Sequence, residues 1–264
     1  MVGRAKHFFS CLRFLSAVLL LAGVTAPAAY ARLDYSISDV IERRVPLASG
    51  GTFTLSNVNG SVQVEGWEGN AVEIRATRTA ARSPRDLNRV RVLVDSAPNA
   101  LNVRTEYPEG DGVEVTVDYR IRVPYRSVLS RVETVNGSIR VSGMESTGTL
   151  RSVNGNVEVV DSAGRFNART TNGNVRVELR ELSEGKPVEI VALNGSVVLA
   201  LPADADAELD VRSLNGDFAS DLPLLRKNAE GQREFHARLG RGGAEVRVRT
   251  VNGGIRVVEA RPTI

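Results

Sequence analysis

The chain has 264 residues, 34 of them basic and 31 acidic, with 42% hydrophobic residues, one Cys and two His. The only basic residues before position 32 are Arg4, Lys6 and Arg13, and no acidic residue joins them, so from residue 32 onward 31 basic residues face 31 acidic ones. Nothing in that balance points to nucleic acid or to an anionic membrane surface. Cys11 and His7 also fall in the first 31 residues, which excludes disulfides and Cys/His metal clusters from the remainder.

Residues 1–31 read as a secretory signal peptide. Arg4, Lys6 and Arg13 form a positive start, Phe14 to Val24 is an apolar run of eleven residues, and Ala29-Tyr30-Ala31 is a cleavage site. The run is shorter than the about 20 residues a spanning helix needs. Cys11 precedes the apolar run, so it is not placed to accept a lipid. The mature chain is expected to start at Arg32, to be exported to the periplasm or beyond the cell, and to carry no transmembrane segment.

Residues 32–264 read as a single domain. Arg32 to Pro46 is a lead-in, and Thr52 to Glu65 carries a first Asn-Gly pair at Asn59. Ala71 to Thr79 alternates apolar and polar residues as a strand does, Ala80 to Asn88 is polar, and a turn of helix is expected over Arg85 to Val90. Val90 to Val94, Leu101 to Thr105 and Val113 to Val123 alternate again. Pro98 and Pro108 punctuate them and Pro124 ends the last.

From about residue 128 to residue 258 the chain repeats. Asn-Gly pairs stand at Asn136, Asn154 and Asn172, eighteen residues apart, and again at Asn194, Asn215 and Asn252. Aligned on the residue before Asn, called position zero, the copies share apolar residues at −3 (Leu55, Val132, Leu150, Ala168, Ile190, Val211, Val248) and at +4 (Val62, Ile139, Val157, Val175, Val197, Phe218, Ile255). Position +6 is apolar except for Ser220. Position zero is apolar in six of seven copies, the exception being Thr171.

Two all-β architectures fit. In an antiparallel hairpin meander each Asn-Gly is a two-residue turn, −3 faces +6 and −1 faces +4. Position zero then lies on the polar face. In a parallel β-solenoid each Asn-Gly is a corner where a left-handed residue resets the phase, and −3, 0, +4 and +6 all point inward. Units of eighteen to twenty-two residues suit one coil each. Stacked coils would align the Asn side chains into an amide ladder. The inward place for position zero favours the solenoid, with a strand-rich N-terminal lead-in.

The repeat Ser/Thr–Val/Leu–Asn–Gly–Ser/Asn/Asp–Val/Ile–x–Val resembles the DUF4097 family of bacterial proteins named as adhesins. N-V-N-G-S-V-Q-V-E-G-W-E-G (Asn57 to Gly69) is similar to that family's first copy, and V-D-Y-R-I-R-V-P (Val117 to Pro124) to its strand before the array. The resemblance spans nearly the whole chain after residue 31. It implies a β-solenoid-like exported or envelope protein without an established activity, and it supplies no catalytic residues.

The chemistry is sparse. His236 is the one histidine after the signal, beside Phe235, and reads as structural rather than as a base. No G-x-S-x-G, H-E-x-x-H or phosphate-binding loop is present, and no cofactor is expected. Asp204, Asp206, Glu208 and Asp210 alternate, which on a strand would set them on one face as a candidate calcium site or as a solvated edge. Arg140, Arg151, Arg169, Arg176, Arg247, Arg249 and Arg256 occupy outward positions. They form either a stripe for an acidic glycan or phosphate, or solubilising charges beside strands, the reading that interspersed Glu133, Glu158, Glu178 and Glu245 favour. Trp67, in a turn-like G-W-E-G, is expected to cap one end of the core or to stack on a sugar.

The function expected is a non-catalytic exported envelope protein, an adhesin or scaffold that binds an envelope glycan or protein. The alternatives are a polysaccharide-active enzyme on a β-solenoid and a structural envelope-stress protein without a ligand. Each buried Val is worth about 1.5–3 kcal/mol, so Val157→Asp should unfold the array while Arg176→Ser leaves the thermal midpoint nearly unchanged. Thermal denaturation of the two variants checks this inward and outward assignment.

Overall fold

The computed structural model describes residues 36–110, 112–183, 185, 187–226 and 234–260. Residues 1–35, which include the expected signal peptide with His7 and Cys11, lie outside the described residues. All but one of the elements are strands. The chain runs β1 (Ile37–Pro46), β2 (Thr52–Ser56), β3 (Val62–Trp67), β4 (Ala71–Ala80), the single-turn α1 (Pro84–Leu87), β5 (Arg91–Ala97), β6 (Ala100–Glu106) and β7 (Val115–Pro124). It continues as β8 (Val128–Asn136), β9 (Ile139–Ser142), β10 (Glu145–Asn154), β11 (Val157–Asn172), β12 (Val175–Leu182), β13 (Val188–Asn194) and β14 (Val197–Leu201). The last elements are β15 (Ala207–Asn215), β16 (Phe218–Ser220), β17 (Leu225–Arg226), β18 (Glu234–Leu239), β19 (Ala244–Asn252) and β20 (Ile255–Glu259). The expected helical turn forms where Ser83 caps the Arg85 N–H and Pro84 opens the first turn.

The segments immediately before and after each Asn-Gly do not pair with each other across it. They pair with their equivalents in the next coil, in parallel and in register: Val157 with Val175, Ile190 with Val248, Val197 with Ile255. This makes a β-solenoid. One wall runs β5–β6–β2–β8–β10–β11–β13–β19–β15–β18–β17, and the other β1–β4–β7–β3–β9–β11–β12–β14–β20–β16. Strand β11 serves both walls and turns the far corner at Asp161, whose φ is +46°. The core lies between the walls, with positions −3 and +4 buried in nearly every coil.

Position zero departs from the expectation. Val58, Val135, Leu193 and Leu214 are 37–51% exposed. The inward residue next to the corner is instead position −1: Asn57, Thr134, Ser152, Thr170, Ala192, Ser213 and Thr250, all buried. Strand alternation requires this, because −3 and −1 share a face and zero takes the other. The small side chains fit the narrow corner. The Thr134, Ser152, Thr170 and Thr250 hydroxyls donate to the Gly60, Gly137, Gly155 and Gly195 carbonyls of the adjacent coil at 2.7–3.1 Å. A buried hydroxyl left without a partner would be costly.

Two columns bind the corner. Each Asn donates its amide to the Asn side-chain oxygen of the next coil, in the order Asn215, Asn252, Asn194, Asn172, Asn154, Asn136, Asn59, at 2.7–2.9 Å. The glycines stack so closely that a Cβ on Gly137, Gly155, Gly173, Gly195, Gly253 or Gly216 would lie 1.9–2.3 Å from the neighbouring glycine carbonyl oxygen. The glycine is therefore demanded by backbone approach between coils. The positive-φ residue at the corner is the glycine, with φ of +123° at Gly60 and +149° to +159° at Gly155, Gly173, Gly195 and Gly253, and none of the corner Asn residues has a positive φ.

The order of that ladder shows that the last two coils are transposed. The Asn252 coil sits between those of Asn194 and Asn215, because β19 pairs with both β13 and β15. The Asn215 coil carries half-exposed Phe218 and Ser220 where other coils bury aliphatics, so it is suited to the end. There β18 and β17 close the first wall by antiparallel pairing. At the opposite end Asn57, Thr105 and Tyr119 form a buried hydrogen-bonded set. The Thr105 hydroxyl donates to Asn57 at 2.9 Å and meets the Tyr119 hydroxyl at 2.6 Å. Burial pushes the Tyr119 phenol up to about 12.

Two outcomes follow from this packing. Gly155→Ala should lower Tm by about 2–12 °C through overpacking, whereas Gly112→Ala, with nothing within 4 Å, should be nearly silent. Tyr119 titrates higher folded than unfolded, so its contribution is complete below the unfolded value near 10 and lost as pH rises towards 12. A Tm–pH profile of Tyr119→Phe should fall less steeply over that window than wild type.

Candidate functional site

Alternation along β1, β4, β7, β3 and β9 sends one set of side chains into the core and the other outward. The interstrand register then aligns the outward set into two rows. One row reads Arg44, Glu73, Arg122, Glu65, Ser142, and the other Glu42, Arg75, Arg120, Gln63, Arg140. Together they line a recess of about 650 Å³, within the range of small-ligand sites. Six arginines, counting Arg43 on its rim, face three glutamates there.

Most of these arginines are tethered. Glu73 accepts from Arg44 at 2.7 Å and from Arg122 at 3.2 Å. Glu42 accepts from Arg75, and Arg140 pairs with Glu158 of β11 just outside the recess. The Arg122 guanidinium lies 4.5 Å and that of Arg44 5.5 Å from the Trp67 ring centroid, while the Trp67 indole N–H donates to the Ala71 carbonyl at 3.1 Å. Such cation–π contacts are worth about 0.5–1 kcal/mol each at exposed sites. Trp67 thus neither caps the core end nor offers a bare face; it holds two guanidinium groups in place. Arg120 and Glu65 make no ion pair among the described residues.

The arginines singled out in the sequence do not make one stripe. Arg140, Arg176 and Arg256 share a row on this wall, where Arg140 lines the recess and Arg176 is paired with Glu178. Arg151 and Arg169 are direct neighbours on the other wall, which also carries Arg249 and the Glu245-paired Arg247. The arginines that converge were missed: Arg44, Arg75, Arg120 and Arg122. The alternation R-I-R in V-D-Y-R-I-R-V-P was the available signal.

The acidic run is also divided. Asp204 lies in a turn, outside β15. Asp206 accepts the Arg241 backbone N–H at 2.7 Å and two guanidinium hydrogen bonds at 2.8 and 3.0 Å, which hold its carboxyl below the usual range. Glu208 and Asp210 stand outward on β15. Asp210, Glu234 and His236 come within 4.8 Å of one another, but Arg212 pairs with both carboxylates. Arg212 therefore already supplies a positive charge to both carboxylates. No helix among the described residues is long and apolar enough to cross a membrane.

The fold and the basic recess define a β-solenoid with a candidate ligand-binding face. The chain belongs to the DUF4097 Toastrack family, whose model matches residues 114–258. No curated protein matches it. Among solved structures it is similar to a provisionally named cell adhesion protein of Clostridium sporogenes, at 12% identity and a TM-score of 0.47, over 84% of this chain and 100% of that one. It is also similar to a provisionally named adhesin of Bacteroides fragilis, at 12% identity and a TM-score of 0.43, over 83% and 97%. Likenesses this remote carry no argument about the site.

Proposed function

We propose that this protein is an exported, non-catalytic binding or scaffold module of the cell envelope, with residues 1–31 removed as a signal peptide. The charged, hydrophobic and small-residue segments of the leader support export. The observation that carries a binding role is the recess itself, where arginines from four strands converge on one face. Ser142, its one hydroxyl, has no hydrogen-bonded base among the described residues. Two of its three glutamates, Glu42 and Glu73, are engaged by arginines. The third, Glu65, carries the second reading, a polysaccharide-active enzyme, because it lies in the recess without an ion pair among the described residues.

Expression of the full chain, followed by N-terminal sequencing and pull-down on purified envelope fractions, tests the proposal. The expected result is a mature start at Arg32 and retention on an envelope component whose length is unchanged after prolonged incubation. Shortened glycan chains would establish the enzyme reading. A folded protein retained by no fraction would leave a structural role alone.

A further inference from the structure

The recess carries its chemistry further than a general binding role, on which this step rests. Arg120 is the centre of the row. In register it stands between Arg75 of β4 and Gln63 of β3, and it has no carboxylate partner among the described residues. Its strand is interior, flanked by β4 and β3, so a gatekeeping charge against edge-to-edge association is not needed there. Like charges placed directly across strands are unfavourable. An anion between Arg75 and Arg120 would relieve that repulsion. The neighbours are already positioned by Glu42, Glu73, Glu158 and Trp67, which leaves the Arg120 donor fork available for bidentate capture of a carboxylate.

We propose that the recess binds an acidic glycan with one carboxylate per sugar, held by Arg120 with Arg75 and Arg140 on either side. The make-up of the row selects this occupant. Arg75, Arg120, Gln63 and Arg140 place one donor on each successive strand, at intervals of about 4.8 Å, so a ligand lying across them meets guanidinium groups and an uncharged amide in turn. A polyuronate offers hydroxyl groups beside every carboxylate. A polyaspartate-like acidic peptide offers such a row carboxylates alone. A flat bilayer cannot follow the floor of a recess. Glu65 and Ser142, in the adjoining row, supply an acceptor and a hydroxyl for ring hydroxyl groups.

Trp67 is the only tryptophan and stacks on Arg44 and Arg122 of the recess, so its emission reports on changes at those guanidinium groups. Titrating the mature protein with polygalacturonate oligomers at low salt should shift that emission, with calorimetry giving the affinity. Arg120→Ala should weaken binding about tenfold or more, the loss expected for a charged hydrogen-bonding partner. Arg120→Lys should fall between, because an ammonium lacks the fork. Arg151→Ala, on the other wall, should bind as wild type, and raised salt should weaken every complex. The Tm of Arg120→Ala should stay within about 1 °C of wild type, which separates lost binding from unfolding. Wild-type affinity in Arg120→Ala, or equal binding of neutral dextran, polyaspartate or phosphatidylglycerol vesicles, overturns the proposal. Retention on an envelope fraction without polygalacturonate binding removes the acidic-glycan assignment but leaves the binding role. Failure of both removes the two together.

Discussion

Backbone approach at the Asn-Gly corner is the constraint on which the remaining structure depends. Successive glycines lie so near one another that a methyl group on any of them would meet the next coil's carbonyl oxygen at about 2 Å. That contact sets the coils at strand spacing and in register. Once the register holds, the Asn amides fall into a continuous ladder and the hydroxyls of position −1 reach the neighbouring glycine carbonyls. Each such bond contributes a modest net amount, about 0.5–1.5 kcal/mol. Repeated along the corner, they specify one stacking order over all slipped alternatives.

The same register builds the surface. Outward side chains of equivalent rank become rows that run across strands, so charge is distributed by coil order and not by sequence order. On the Arg140 wall, the antiparallel strands β1, β4 and β7 extend the parallel stack and bring Arg44, Arg75, Arg120 and Arg122 beside Gln63 and Glu65. Carboxylates in and beside these rows pair with most of the arginines, and Trp67 also stacks on two of the paired ones, Arg44 and Arg122. What remains is a local surplus of guanidinium groups in a chain that is otherwise balanced. A net-charge argument cannot see such a surplus, because it sums over both walls.

The end of the array shows stability deciding topology. The Asn215 coil carries Phe218 and Ser220 at positions that bury Ile255 and Val257 in the Asn252 coil. The better-packing coil takes the interior place, although it comes later in the chain. Antiparallel strands then cover one wall at that end, and a buried Asn57–Thr105–Tyr119 set anchors the other end of the stack. The candidate site was only partly legible for a related reason. Arg140 was readable as outward, but its neighbours Arg75 and Arg120 belong to strands whose place depends on the pairings Arg75–Arg120, Gln63–Arg120 and Gln63–Arg140, between residues 45, 57 and 77 positions apart. The acidic run from Asp204 to Asp210 looked continuous, yet a turn before β15 separates its first members from its last.

The all-β class, the repeat, the aliphatic columns at −3, +4 and +6 and the amide ladder followed from the sequence alone, since alternation along a strand is a local property. The inference through position zero did not hold, although the solenoid did. A hairpin meander and a solenoid bury the same −3, −1, +4 and +6 residues, so parity within one unit cannot distinguish them. Only the tertiary structure decides which strand lies beside which, because hydrogen bonds between equivalent residues of different coils, and the glycine contacts that accompany them, exist only once those coils have stacked. The transposed last coils and the arginine recess were decided at that same step.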